Sequence, residues 1–133
     1  MALLEDLGGY LDTQLGSLTL GTNLFYSLLP ETVDNCVALY ENGGAPPNFT
    51  MGSTNLPKLE RPQLQAIVRN TSYSTGRALA EDVYRILTAI SNQTINSNSY
   101  LRVEALSVPS VIERDTNRRV VFSVNFDVVR ITP

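Results

Sequence analysis

The sequence predicts an α+β fold: a small mixed or antiparallel β-sheet with a long C-terminal hairpin, and two main α-helices packed on it. Three observations lead there. Apolar residues recur at helical spacing through Leu3, Leu4, Leu7, Leu11 and Leu15, and again through Leu79, Val83, Ile86, Leu87 and Ile90. They alternate at period two through Leu64, Ala66 and Val68, and through Phe122, Val124, Phe126 and Val128. Asp115-Thr116-Asn117 supplies a turn between the last two extended stretches. A chain of 133 residues suits one domain, 1–133, long enough to bury a core and short for two.

Taken in order, Ala2 to about Gln14 reads as an amphipathic helix, with Glu5, Asp6 and Asp12 off its leucine stripe. The two early acids suit the positive end of the helix dipole. Gly8-Gly9 lowers helix propensity by about 1 kcal/mol per glycine relative to alanine. Two readings of that pair stay open: a helix docked on its own core, or one that packs partly on a neighbouring subunit where backbones approach closely.

Leu24 to Leu29 is an apolar extended run ended by Pro30, and Asn35 to Glu41 is apolar on both faces, as in a covered strand. Asp34-Asn35 supplies the turn between them. Residues 42–57, NGGAPPNFTMGSTNLP, read as a long irregular loop, because glycines and prolines oppose regular structure there. Gly43, Gly44, Pro46, Pro47, Phe49 and Met51 make it a candidate contact with a partner, since a purely solvated linker needs neither Phe nor Met.

A strand around Leu64–Arg69 then leads through Thr71 or Ser72, either of which can cap the following helix. Arg77, Glu81 and Arg85, four apart, form attractive pairs on its solvated face. Thr94-Ile95-Asn96 starts a short extended piece, and Ser97-Asn98-Ser99 a turn. Alternation resumes from Tyr100 to Val108, but Leu106 and Val108 fall on the Arg102/Glu104 face, so that face is buried farther along or a bulge shifts the phase. Pro109 marks an edge or bend before the chain continues to Glu113. In the final strand Ser123, Asn125 and Asp127 face away from the apolar set, toward water or a contact.

Composition excludes several chemistries. The chain has no histidine and a single cysteine, Cys36, within the apolar run CVALY. The usual general base and the commonest transition-metal ligand are missing, so Cys36 reads as a small buried hydrophobe. Glu81 and Asp82 diverge by about 100° on a helix. Glu113 and Asp115 flank a turn rich in arginine, which favours ion pairing over catalysis. No catalytic, metal or cofactor residues are expected. Net charge is −3 with basic residues dispersed, opposing tight DNA binding. Arg114, Arg118 and Arg119 near the hairpin tip, with Asn125 and Asp127, are candidate contacts to another protein. No apolar run approaches the 18–20 or so residues that span a bilayer, and MALLEDLGGYLDTQL lacks the basic start of a signal peptide, so a cytosolic origin is the default expectation.

The segments MALLEDLGGYL, LP-x₃-DNCVALYE-x-GG-x-PP, ERP-x-LQ-x-x-VR-x-x-SY and VVFSVNFDVVR together resemble the small "minor capsid" proteins of long-tailed phages, which are similar to tail terminators, also called tail-completion proteins. The similarity runs over nearly the whole chain in the same order and brings no catalytic residues. It implies a structural virion protein that forms a ring, commonly a homohexamer, at the head-proximal end of the tail tube. Implied partners are further copies of itself, the tail tube protein and a head–tail connector or neck protein, with genomic DNA passing through unbound. Two alternatives are a neck protein between portal and tail and, from another class, a monomeric ligand-binding module.

Overall fold

The computed structural model describes residues 3–48 and 58–132. Among these, α1 (Leu3–Gln14) precedes β1 (Leu24–Tyr26), β2 (Cys36–Asn48) and β3 (Lys58–Asn70). Then come α2 (Tyr73–Thr88), β4 (Ser91–Ile95), β5 (Asn98–Ala105), β6 (Ser110–Arg114) and β7 (Val120–Thr132). The strands form one sheet in the order β1-β2-β3-β7-β5-β4, with β6 also on β7. Among the described strands only the β1–β2 pair is parallel, so the sheet is mixed, one of the two forms expected.

Period two decides which residues meet the helices. Leu64, Ala66 and Val68 of β3 and Phe122, Val124, Phe126 and Val128 of β7 are buried in one cluster with α1 and with Ala80, Val83 and Leu87 of α2. Each fully buried leucine or valine there contributes about 1.5–3 kcal/mol. Register holds the two central strands together, Leu64 opposite Phe126 and Val68 opposite Phe122. A slip by one residue would turn both phenylalanines away from the helices.

Ser72 is the N-cap of α2, its hydroxyl accepting from the Thr75 N–H at 3.4 Å. The helix therefore starts before the apolar stripe itself and ends before Ile90, which is buried beyond its last turn. Gly76 allows α2 to lie close on β7: a Cβ there would sit 2.7 Å from Phe122 Cε2. On the exposed face Arg77 pairs with Glu81 at 3.2 Å as expected. Arg85 does not join them. It pairs with Asp82, one turn back at i−3, which competes for the same guanidinium.

Four other expectations change. Residues 42–57 are not wholly irregular: β2 runs on to Asn48 and pairs Gly44 with Pro62 and Ala45 with Arg61. Prolines 46 and 47 fall between Ala45 and Asn48, where the register shifts, and β1 covers only Val37–Leu39 of β2. This part of β2 is an open edge, where a missing N–H costs no ladder bond. The rest of that loop lies outside the described residues.

Secondly, β1 stops at Tyr26, because Ser27 turns to a positive φ of 56°. Leu28 and Leu29 belong to a connection and not to the strand. Thirdly, the extended stretch after Tyr100 is two strands. β5 pairs with the far half of β7 and β6 with the near half, with a break at Pro109. Leu106 and Val108 are exposed on that break, so burial does not explain their phase; β5 does shift register, but earlier, between Tyr100 and Arg102.

Lastly, Asp6 is fully buried. Its carboxylate accepts from Asn96 Nδ2 at 3.1 Å, Asn98 Nδ2 at 2.8 Å and Tyr100 Oη at 2.5 Å. The β4–β5 turn brings these donors to the helix, and they replace the water the acid loses. Arg130 Nη1 in turn donates to Tyr100 Oη at 3.3 Å, and Arg130 pairs with Glu60 at 3.4 Å. Burial, then the hydrogen bond to Asp6, pushes the Tyr100 hydroxyl well above the ordinary tyrosine range despite Arg130.

Candidate assembly surface

The face of the sheet turned away from the helices has two halves. Toward the Cys36 end it is apolar and covered: Cys36, Ala38, Ile67 and Val121 are buried there outside the main core cluster. The cover is the β1–β2 connection, residues 27–35. Two buried arginines hold it. Arg69, 2% exposed, donates from Nη2 to the carbonyls of Pro30 and Val33. Arg119, 1% exposed, donates to the Glu31 carbonyl at 2.8 Å and pairs with Glu31, Asp34 and Asp115 at 2.9, 3.4 and 2.7 Å. Asn35 Oδ1 accepts from the Thr71 N–H at 3.0 Å and pins the end of the connection to the start of α2. These bonds give Glu31, Asp34 and Asn35 of the LPETVDN segment a structural role.

Behind this cover Cys36 is a free, buried thiol. Burial pushes it up, and the nearby Arg69 and Arg119 only partly oppose that. It stays a neutral packing group. Asp115 is both turn cap and ion partner, accepting from the backbone N–H groups of Asn117 and Arg119. Its own desolvation pushes its carboxyl up, but the hydrogen bonds from Arg119 and Asn117 outweigh this and leave it below the usual carboxylate range.

The other half of the face is polar and partly open. Asn125 and Asp127 stand there beside Gln65 and Gln63 of β3, and Glu104 of β5 lies opposite Asp127. Arg114 and Arg118 are exposed at the hairpin tip, where Arg114 Nη1 donates to the Arg118 carbonyl at 3.1 Å and Arg118 takes a positive φ of 63°. Arg119 differs from them. Its donors are spent inside the chain, so it holds the fold together and presents little to a partner. Gly43 is exposed at a positive φ of 82°, beside the register shift after Glu41, and Gly44, Pro46 and Pro47 follow along the open edge of β2. Phe49 and Met51 lie outside the described residues. The candidates thus fall on separate surfaces: hairpin tip, polar sheet face and β2 edge.

Sequence reasoning passed over one further group. Leu28, Tyr73, Leu106, Val108, Val111 and Ile112 are all exposed apolar side chains. The broken alternation at Leu106 and Val108 was the one sign of it in the sequence. Among the described residues no acid or cysteine cluster has the makings of a metal site, and no helix is long and apolar enough to cross a membrane.

No curated protein sequence matches the chain. Among solved structures, a chain from "Virion of native gene transfer agent (GTA) particle" superposes with a TM-score of 0.58 at 13% identity, over 98% of each chain. At that identity the likeness speaks for a shared fold. The protein family described as "Bacteriophage tail terminator protein" matches residues 10–130. That span takes in every described element from the second half of α1 to nearly the end of β7, and so the chain belongs to the bacteriophage tail terminator family, as a structural, tail-terminating component of the virion.

Proposed function

We propose that this chain closes into a ring, commonly of homohexameric type, on the head-proximal end of the tail tube, where it stops tube growth and docks the tail to the neck. The family match over residues 10–130 carries this reading. A closed ring needs a heterologous contact, one patch of each copy meeting a different patch of the next. The chain offers distinct patches in the hairpin tip with Arg114 and Arg118, the polar face with Asn125 and Asp127, and the β2 edge from Gly43 to Pro47. Tube and neck proteins would take those that the ring itself leaves free. With a net charge of −3 per copy, the collar repels DNA phosphates more than it holds them, which suits passage without binding. It acts by shape, with no turnover.

Electron microscopy of particles made without this protein tests the proposal. Overlong, polydisperse tails are expected. Detached tails of normal length beside leaking heads would refute termination and favour a neck role.

A further inference from the structure

We propose that a groove between α2 and the β5–β6 bend receives the β1–β2 connection of a second copy of this chain. This deepens the ring reading above and rests on it. The groove, about 290 Å³, is lined by Arg77, Glu81, Tyr84, Arg85, Val108 and Pro109, with Glu81 paired to Arg77. Arg77 Nη1 donates to the Pro109 carbonyl at 2.7 Å and fixes the bend against the helix. Val108 is 64% exposed at its rim. Exposed Tyr73 and Val111 extend the apolar surface: the Tyr73 ring lies 5.8 Å from that of Phe122, and Val111 is the strand partner of Phe122. β6 beside them is an edge strand with every residue exposed. Apolar side chains gathered on an open edge mark a surface that is covered in use.

Charge selects the occupant. Arg85, paired with Asp82 but with most of its side chain in solvent, and Arg114 and Arg118 at the hairpin end of β6 place guanidiniums along this apolar surface. The β1–β2 connection has the converse chemistry. Leu28 is 57% exposed, and the side chains of Glu31 and Asp34, each bonded to Arg119 on one side but 79% and 66% exposed, carry negative charge outward. Leucine enters the apolar groove while the acids meet the arginines, which steers docking and fixes its orientation. Groove and connection lie on opposite sides of the sheet, one beside α2 and the other over the Arg69/Arg119 face. A contact between them is therefore head-to-tail and leaves a free groove at one end of an open chain and a free connection at the other, as ring closure requires.

Paired cysteines test this. Leu28→Cys and Val108→Cys both fall on exposed positions, and native Cys36 is buried. The double variant, purified and oxidised at high concentration with and without tail tubes, is expected to give a ladder of covalent species above the dimer. Each single variant stops at the dimer. A double variant that also stops at the dimer under both conditions, with circular dichroism unchanged from the parent, would overturn the proposal. If particles lacking the protein still grow overlong tails in that case, termination stands and only this contact falls.

Discussion

Gly76→Ala and Gly9→Ala change the same atoms in two helices and are expected to act with opposite sign. Both gain helix propensity, about 1 kcal/mol in a helix interior. A Cβ on Gly9 meets nothing within 4 Å. One on Gly76 would lie 2.7 Å from Phe122 Cε2 and 2.9 Å from Asn70 Cβ. Neither neighbour yields easily, since Phe122 is fully buried and the Asn70 contact is next to the backbone. Overpacking of this kind costs about 1–3 kcal/mol. Gly9→Ala should stabilise the isolated chain by up to about 1 kcal/mol. Gly76→Ala should lie about 1–3 kcal/mol below it, because the propensity gain cancels in the comparison. For a domain of this length that gap is about 3–6 °C per kcal/mol in Tm. Urea titration of both variants reads it directly. A cycle with Phe122→Leu adds a control: shortening the ring should recover part of the cost of Gly76→Ala, a coupling of about 0.5–3 kcal/mol. Equal stability of Gly76→Ala and Gly9→Ala would refute the close-packing argument.

The remaining predictions concern the buried polar groups. Asp6→Ala strands the Asn96, Asn98 and Tyr100 donors in the interior and should cost about 3–5 kcal/mol by urea denaturation; a loss under 1 kcal/mol or so would mean that water replaces the carboxylate freely. Asp115 has a depressed native pKa, so its contribution is complete above the unfolded carboxylate value near 4 and is lost as pH falls through the native value. The fall of the urea midpoint below about pH 4 should be shallower in Asp115→Asn than in the parent. Tyr100 has the reverse sign: its raised native pKa gives stability present below about pH 10 and lost as pH climbs beyond it, and Tyr100→Phe should flatten that alkaline limb.

Much of the architecture was legible in the residues because periodicity reports burial. The stripe from Leu79 to Ile90 and the alternation from Phe122 to Val128 each name the face that meets the core, and Ser72 names the start of α2. The same logic misplaced Asp6, since a helical wheel can show that a carboxylate is off the leucine stripe but not that a distant turn will bring three donors to it. It also read residues 42–48 as a loop, because proline statistics count against a strand, and cannot know that β1 is too short to cover this edge.

Local pattern, then, settled the two helices, the central strands, the core face and the fold class, for these depend on a residue and its near neighbours in the chain. Only the tertiary structure decided the fate of the charges. Arg119 and Arg114 look alike in sequence, yet one is buried under the β1–β2 connection and the other is left in solvent. The surroundings of Arg119 come in part from a segment some 85 residues away, as in its pair with Asp34, and such long-range meetings leave no periodic trace. Which apolar side chains the finished sheet leaves uncovered, Val108 and Val111 among them, is decided at the same level.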